Sequence, residues 1–414
     1  MAIRSFEVSN YKPYRQSAQV RLRPLTVLIG KNHSGKSALM KALPLLAGSL
    51  ASNQPRPLDL EAGGLRHGFA ESDLVFGRAP HGAFELGLEM SQPGGNNSKT
   101  LRIGIQCVSG ELGQGDTAFV QSLSLKTSSF GFEMAREDRE YRMHFEQESG
   151  RLSATSIPLF EGLLPRTFPR IEGTIAETVE SELAGLRQLK DSVTYLKSPR
   201  SIKLGWRLFD DVLSPAEICA GEAAPRSLAT NDELLDLTQR WFLEALGIPL
   251  DVRISAPAGF RTFVGSGHGP ELYVGLESAG QGLSQVLPVV VQKLGGQLQG
   301  KGVDIVEQPE AELHPAIHGA VADLFLDHLS ASRPAIVETH SENFLLRVRR
   351  RVAEGKVDPE SIGIYWIDRD PEGGARLSEI RLSAGGDLDE WPEGVFYEDF
   401  DEVLAIRRAA RNRA

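Results

Sequence analysis

The sequence predicts an α/β protein, in which a largely parallel sheet is covered on both faces by helices and is joined to an antiparallel β lobe and a helical insertion. Two observations support this fold class. At both ends of the chain, short apolar runs typical of buried strands alternate with helical patterns, and parallel strands need such helical connections. In between, residues 82–145 contain short runs separated by Gly, Asn, Ser and Asp, which is typical of an antiparallel sheet.

The first 50 residues predict a strand, a turn, a second strand, a glycine-rich loop and a helix. The second strand is the apolar run 25–29, and the helical pattern covers 38–46. Residues 51–76 are rich in Pro and Gly and are predicted to form a loop.

The remaining elements follow from the same kinds of pattern. Strands are predicted at 83–90, 101–105, 119–126, 141–146, within 252–276, and at 303–306, 335–338, 362–367 and 377–382. Helices are predicted at 175–189, 233–246, 284–294, 316–329 and 342–353, with an acidic segment and a basic helix at the C-terminus. We divide the chain into a first lobe (1–150), a helical insertion (151–250), a second lobe (251–370) and a C-terminal extension (371–414).

Composition and charge narrow the class of protein. The 414 residues are 41% hydrophobic and 24% charged, which is typical of a soluble globular protein. No apolar run reaches the roughly 18–20 residues that span a bilayer, and the N-terminus shows no signal-peptide pattern, so we expect a cytoplasmic protein with no membrane association. Cys107 and Cys219 match no metal spacing and are expected to be buried thiols.

The net charge of −10 argues against a protein coated in basic charge for DNA, but it does not exclude a local basic stripe. The clearest candidates are the basic runs within 347–351 and 407–413. A solvated helix face is the default interpretation of either run.

The glycine-rich loop at residues 30–37 matches the pattern G-x-x-x-x-G-K-[ST] between a predicted strand and a predicted helix. In that context, backbone N–H groups and the helix N-terminus bind nucleotide phosphates. Lys36 is expected to reach the β- and γ-phosphates, and the Ser37 hydroxyl is expected to bind Mg²⁺. The residues predicted to contact the nucleotide here are Gly30, Asn32, Ser34, Gly35, Lys36 and Ser37.

Three further segments contain polar residues that could contact Mg²⁺, a phosphate or the attacking water. The strand at 303–306 is followed by Glu307, and a carboxylate at a buried strand end suits a Mg²⁺ contact, usually through water. The strand at 335–338 precedes His340, whose neutral imidazole could hydrogen-bond a γ-phosphate or the attacking water. Ser278, Gly280 and Gly282 form a Ser-x-Gly-x-Gly loop before a helix, which is a second anion-binding arrangement.

In this order, the four segments resemble the ATP-binding cassette ATPases of the SMC/RecF/OLD branch, where OLD stands for overcoming lysogenisation defect. By that resemblance, 30–37 is the Walker A loop, 278–285 the signature loop, 303–307 Walker B, 311–315 the following D-loop region, and His340 the switch histidine. Residues 3–12 are similar to the family's N-F-K-x-F start. The resemblance covers about residues 1–50 and 270–370 and covers the middle of the chain poorly.

The strings at 284–288, 307–310 and 338–342 are similar to a group of bacterial stand-alone AAA-type ATPases, often encoded beside anti-phage or restriction genes. The resemblance implies a P-loop NTPase of the ABC-ATPase head type, RecF- or OLD-like, that binds ATP and Mg²⁺. It implies that the signature loop of a second subunit closes on the γ-phosphate, so that a homodimer, a higher homo-oligomer or a matching partner is needed. It also implies a separately encoded effector, such as a nuclease or toxin, and possible DNA binding.

One departure from the family concerns catalysis. Gln308 stands where the family usually has a second acidic residue that acts as general base. An amide cannot accept a proton, and general-base catalysis contributes about 10²–10⁴-fold in rate. We therefore expect slow hydrolysis, with Glu307 and Gln308 in the site and Glu310 or His340 compensating in part. A second departure is Glu312, where many relatives carry a histidine.

From the sequence we expect an ATP-dependent dimeric switch that senses or clamps nucleic acid, or holds a toxic effector, in an anti-phage defence or DNA-maintenance system. Two other functions stay open. A scaffold protein that binds ATP without hydrolysing it is favoured somewhat by Gln308. The ATPase subunit of a transporter would need a coupling-loop glutamine, for which Gln54 is the nearest candidate. A nuclease domain of the Toprim type is not expected, because Asp368, Asp370 and the acidic cluster 398–402 are more simply explained as surface charge.

Overall fold

The computed structural model describes residues 2–91, 98–109, 116–147, 150–169, 174–203, 205–255, 259–265, 272–390, 405, 406 and 408. The strands are β1 (Ala2–Ser9), β2 (Ala18–Arg21), β3 (Leu25–Gly30), β4 (Ala83–Ser91), β5 (Ser98–Val108), β6 (Thr117–Lys126), β7 (Phe130–Glu137), β8 (Glu140–Gln147), β9 (Gly150–Ser156), β10 (Phe160–Glu161), β11 (Leu164–Pro165), β12 (Val193–Leu196), β13 (Arg207–Leu208), β14 (Leu250–Ser255), β15 (Gly259–Gly265), β16 (Tyr273–Gly275), β17 (Val303–Glu307), β18 (Ala335–Glu338), β19 (Ile362–Arg369) and β20 (Ala375–Ile380). The α-helices are α1 (Lys36–Leu50), α2 (Thr174–Arg187), α3 (Pro215–Cys219), α4 (Ala224–Thr230), α5 (Asp232–Trp241), α6 (Gln281–Gln299), α7 (Pro315–Leu326) and α8 (Glu342–Ala353).

A six-stranded sheet forms the centre of the molecule, in the order β12-β17-β18-β3-β19-β20. Its first five strands are parallel, and β20 is antiparallel to β19. The register pairs Glu307 with Glu338 and Glu338 with Leu28. The carboxyl ends of β17, β18 and β3 therefore meet at one edge, which is where ligands bind in open α/β sheets.

The two faces of the central sheet belong to two apolar cores. Leu28 of β3 packs into a core shared with α1 and the antiparallel sheet, whereas Val27 and Ile29 pack into a core with α6, α7 and α8. This alternation follows from the two-residue period of a strand. Burial of β3 on both faces explains its continuous apolar run.

An eight-stranded antiparallel sheet, β2-β1-β4-β5-β6-β7-β8-β9, covers α1 and forms the predicted β lobe. The prediction of an antiparallel region is confirmed, but the sheet is larger than predicted because β2, β7 and β9 were not identified in the sequence. A smaller antiparallel sheet is formed by β13, β15 and β14, with β16 paired to β15.

The prediction of a helical segment at 151–250 is wrong in part. β9 occupies its first residues, and Val193–Leu196 forms strand β12, the edge strand of the central sheet beside β17. A four-residue apolar run has no diagnostic period, and its strand conformation is stabilised by pairing with residues more than 100 positions away. Helices α2 and α5 do lie in this segment.

The C-terminal predictions fall mostly outside the described residues. The acidic cluster at 398–402 lies outside them, and of the basic run 407–413 only Arg408 is described. Among the described helices, none has both the length and the apolar character needed to cross a bilayer.

The basic run on α8 is largely paired within the chain. Arg347 and Arg351 both form ion pairs with Asp323 of α7, and Arg350 pairs with Glu354. The guanidinium group of Arg349 donates to a backbone carbonyl, that of Gly386, at 2.7 Å. The guanidinium groups of α8 therefore join α8 to its neighbours and do not form an unopposed cationic stripe.

Candidate functional site

The loop between β3 and α1 packs closely against β19 and against the segment that contains Pro13 and Tyr14. A Cβ atom at Gly30 would lie 2.3 Å from the carbonyl oxygen of Ile367, so only glycine allows β19 to approach this closely. Gly35 has φ 115° and lies against Pro13, where a Cβ would come within 2.9 Å, and its carbonyl accepts a hydrogen bond from Tyr14 Oη at 3.1 Å. The spacing of the glycines in the motif thus follows from local backbone geometry.

Lys36 lies beneath this loop with 4% of its surface exposed. Its Nζ donates to the carbonyl oxygens of Gly30 at 2.8 Å and Lys31 at 2.9 Å, and it lies 3.6 Å from Glu338 Oε1. Burial lowers the pKa of Lys36, and Glu338 opposes that change. The ammonium group is therefore already held at the centre of the loop by the loop's own carbonyls.

Two buried carboxylates, Glu307 and Glu338, lie at the ends of adjacent strands. Glu307 is anchored on both oxygens, because Tyr195 Oη donates to Oε1 and Ser198 N donates to Oε2 at 2.9 Å. Burial raises the pKa of Tyr195, and the neighbouring Glu307 raises it further, so the phenol stays protonated and donates.

Gln308, Glu310 and His340 have different surroundings. Gln308 lines the same cavity as Lys36, and its Oε1 accepts a hydrogen bond from Ser198 Oγ at 3.2 Å. Glu310 is not among the residues that line this cavity; its Oε1 accepts from Thr339 Oγ1 at 2.6 Å and His340 N at 3.2 Å. His340 lines the cavity, and its Nε2 lies 3.5 Å from Glu338 Oε1.

These groups surround a cavity of about 610 Å³ at the carboxyl edge of the parallel strands. The sequence-predicted residues that line it are Asn32, Ser34, Gly35, Lys36, Ser37, Glu307, Gln308 and His340. Ser34 Oγ is buried and has no hydrogen-bond partner. A buried donor of this kind fits a phosphate oxygen, since buried polar groups are normally hydrogen-bonded.

The donor set also fits Mg²⁺, which prefers oxygen ligands and keeps several waters. Ser37 and Glu307 both line the cavity. Because Mg²⁺ usually keeps several of its waters, a contact from Glu307 to the metal is expected through water. Among the described residues, no group of three or more His, Cys, Asp or Glu side chains could hold a metal ion. Mg²⁺ in nucleotide sites is usually bound by one or two carboxylates together with waters and substrate phosphates.

The predicted second anion-binding loop lies away from this cavity. Ser278 and Gly280 are exposed, and neither they nor Gly282 line it. Gly280 has φ 96° in open space, and Gly282 packs so closely on Glu312 that a Cβ would lie 2.6 Å from the Glu312 carbonyl oxygen. The loop is thus an exposed helix N-terminus that faces outward from its own chain.

A pair of hydrogen bonds connects α6 with the cavity. Gln285 Oε1 accepts from Arg200 N at 2.6 Å, and Gln285 Nε2 donates to Arg200 O at 2.5 Å. The Arg200 guanidinium in turn donates to the carbonyl oxygens of Glu307 and, at 3.2 Å, Gln308. Burial lowers the pKa of Arg200 to about 10, and Glu310 and Glu307 oppose that change. Through its hydrogen bond to the Gln308 carbonyl oxygen, Arg200 holds the backbone at Gln308, where φ is 40°.

Sequence reasoning missed several residues of this site: Pro13, Tyr195, Ser198, Arg200, Glu338 and Arg369. Tyr195, Ser198 and Arg200 were missed because β12 was not recognised as a strand. Glu338 carried the same signal as Glu307, a carboxylate at the end of a buried strand. Gln54, the nearest candidate for a coupling glutamine, is exposed and does not line the cavity.

A second cavity of about 690 Å³ borders the first and shares Pro13 and Arg369 with it. Phe69 is 85% exposed there, with the Arg66 guanidinium 5.0 Å from its ring centre. Lys12 also lines this cavity. Its pKa is lowered to about 8, mainly by burial and further by the nearby charge of Lys41. The first cavity therefore opens on one side toward a cationic surface with an exposed aromatic ring.

Replacing Tyr195 by Phe is expected to destabilise the fold by about 1.5–3 kcal/mol, since a hydrogen bond to a charged group contributes that much. Tyr141→Phe is the matched control, because Tyr141 is also buried but donates to the neutral Val120 carbonyl at 2.6 Å, a bond that contributes about 0.5–1.5 kcal/mol. Urea unfolding at neutral pH measures both losses. Equal losses would show that Glu307 is not a charged acceptor of this bond.

Comparison with known proteins agrees with this description of the N-terminal region. Residues 1–103 match the AAA ATPase domain family, and this matched region includes the phosphate-binding loop. With its parallel sheet and strand–loop–helix unit, the chain has the fold of a P-loop NTPase. No curated protein matches the sequence.

Three solved structures have a similar arrangement of elements. An SMC head bound to the C-winged helix domain of ScpA is 13% identical, with 92% of this chain and 99% of that chain covered and a TM-score of 0.47. The SMC head domain from Thermotoga maritima is 9% identical, with 92% of this chain and 100% of that chain covered and a TM-score of 0.45. An SMC head domain with an extended coiled coil, bound to the C-terminal domain of ScpA and derived from Pyrococcus furiosus, is 14% identical, with 99% of each chain covered and a TM-score of 0.43.

Proposed function

We propose that this protein is an ATP-binding switch that hydrolyses ATP slowly and acts as a dimer. The observation that carries the proposal is the convergence, in one cavity, of the phosphate-binding loop, the buried Lys36 and two strand-end carboxylates. The triphosphate would lie along the loop, and the base and ribose would extend toward the second cavity beside Phe69.

Each group in the cavity has a defined task in this proposal. Loop N–H groups and Ser34 Oγ bind phosphate oxygens, while Lys36 stabilises the charge on the β- and γ-phosphates. Ser37 and Glu307 would hold Mg²⁺, which when bound neutralises phosphate charge. Tyr195 and Ser198 orient Glu307. Because Gln308 cannot accept a proton, the bound ATP is expected to have a long lifetime.

The dimer is proposed from the loop before α6. It presents exposed backbone and a helix N-terminus, which favour an anion, yet it does not line the cavity of its own chain. A second copy whose loop approaches the γ-phosphate would complete the site and make ATP the link between subunits. Hydrolysis would remove contacts to both subunits and allow the dimer to open.

ATP is expected to double the mass of the protein in sedimentation experiments, whereas ADP is not. Gly280→Asp should prevent this change, because a carboxylate in the loop repels the γ-phosphate. Gly300→Asp is a matched control, since Gly300 lies at the other end of α6, also with positive φ and open space around it. An ATP-dependent dimer that survives Gly280→Asp would contradict the proposed role of the loop.

A second candidate function is a scaffold that binds ATP without hydrolysing it, and the amide at Gln308 favours it. Steady-state phosphate release separates the two functions, since a scaffold releases none. For either function we propose a separately encoded effector, such as a nuclease or toxin, within a defence or DNA-maintenance system. Direct DNA binding is a weaker proposal, because the arginines of α8 are engaged within the chain.

A further inference from the structure

Resting on the proposed ATPase function, we propose that Glu338 and His340 form the proton-accepting pair for hydrolysis, in place of the carboxylate that is lacking at Gln308. His340 is the catalytic residue that accepts the proton from water. Glu338 is a positioning residue that orients the imidazole.

The other polar groups near the cavity are unsuited to this task. Gln308 is an amide and is hydrogen-bonded to Ser198. Glu310 does not line the cavity and is engaged with the segment after β18. Both oxygens of Glu307 accept hydrogen bonds, from Tyr195 and Ser198. Of the two strand-end carboxylates, Glu307 is held by an uncharged hydroxyl and a backbone N–H. The neighbours of the Glu338 carboxylate are instead Lys36 and His340.

Glu338 is placed to act on His340. It is 5% exposed, it lines the cavity, and its Oε1 lies 3.5 Å from His340 Nε2. A carboxylate at this distance favours the tautomer with a proton on Nε2, which leaves the lone pair of Nδ1 for a water molecule. The tautomer of a histidine is set by the hydrogen bond that its other nitrogen makes, as in sites where a carboxylate orients a catalytic imidazole.

Lys36 connects the pair with the nucleotide. Glu338 Oε1 lies between His340 Nε2 and Lys36 Nζ, at 3.5 Å and 3.6 Å. Two of the three Lys36 donors are already used by loop carbonyls, so a γ-phosphate and Glu338 compete for the third. The triphosphate carries more negative charge than the Glu338 carboxylate, so we expect it to take the third Lys36 donor when it binds. Glu338 would then interact with His340 alone.

The chemical step is an in-line attack of water on the γ-phosphorus. The oxygen of water forms a bond to phosphorus, and the bond from phosphorus to the β–γ bridging oxygen breaks with its electron pair, which stays on ADP. The proton of the attacking water goes to His340 Nδ1 and from there to solvent. The products are ADP, inorganic phosphate and one released proton.

Chemical rescue tests the pair directly. His340→Ala should slow single-turnover hydrolysis by about 10²-fold, toward the low end of what a positioned base contributes, and added imidazole should restore part of the rate. Glu338→Ala should slow it by about 10-fold or more, the loss typical when a carboxylate that orients a metal-ligating histidine is removed, and added formate should restore part of it. Glu379→Gln, an exposed carboxylate on β20, is the control and should neither lose activity nor respond to formate.

Two further measurements separate this role from a structural one. Affinity for a fluorescent non-hydrolysable ATP analogue should change less than threefold in His340→Ala. In a Gln308→Glu background, the loss caused by Glu338→Gln should shrink, because a second base is then present. Unchanged hydrolysis in both alanine variants, or losses that neither additive restores, would overturn the pair. If the unmodified protein does not bind ATP, it is the proposed function that fails.

Discussion

Replacing Lys36 by alanine is expected to weaken ATP binding by at least about 10²-fold, because hydrogen bonds to charged groups contribute about 1.5–3 kcal/mol each and a lysine in this loop contacts two phosphates. ATP-dependent dimerisation should be lost as well. Lys36 is the buried cation of the cavity, held by Gly30, Lys31 and Glu338. Its removal takes away the positive charge that faces the triphosphate. Titration with a fluorescent ATP analogue measures the affinity, and sedimentation measures the dimer.

Two additional variants separate binding from folding. Lys36→Met retains most of the side-chain volume while removing the charge, and should lose as much affinity as Lys36→Ala. Lys41→Ala, one turn further along α1, removes a lysine that does not line the cavity and should bind ATP normally. The melting temperature of each variant reports whether the loop still folds. An ATP-dependent dimer in Lys36→Ala would contradict the idea that ATP links the subunits.

Replacing Gln308 by glutamate is expected to raise the rate of ATP hydrolysis, by up to about 10²–10⁴-fold if no other base operates. Gln308 and Glu have the same shape, Gln308 lines the cavity, and its backbone is held by Arg200 and by a hydrogen bond from Gln308 N to Glu338 O at 2.8 Å. If Glu338 and His340 act as the proposed base, the gain should fall at the low end of this range. The ATP-bound dimer should have a correspondingly shorter lifetime.

Phosphate release measured over several turnovers, with Gln54→Glu as an exposed control, checks this expectation. The new carboxylate joins Glu307 and Glu338, so a modest loss of stability without nucleotide is also expected from like-charge repulsion. A rate that does not change would mean that Gln308 does not limit hydrolysis.

Local motifs made the nucleotide part of the site predictable. The residues of 30–37 are consecutive, so their glycine spacing alone dictates a loop that surrounds Lys36. The apolar runs before Glu307 and His340 likewise predicted strands, and β17 and β18 are confirmed. The roles of these residues in catalysis remain predictions.

Contacts between distant segments could not be predicted in the same way. The edge strand β12 exists because it pairs with β17, and it brings Tyr195 and Ser198 to Glu307. Glu310 is only two residues from Gln308, yet the turn that follows β17 directs it toward Thr339 and away from the cavity.

The phosphate-binding loop, the α/β class and the amide at position 308 could be predicted from the sequence, because each depends on neighbouring residues or on the period of a strand or helix. Three features became visible in the folded chain: which carboxylates face the cavity, that Glu338 lies between Lys36 and His340, and that the loop at 278–282 does not line the cavity of its own chain. Sheet register and packing join residues far apart in the chain, and no local pattern encodes which strand ends will meet.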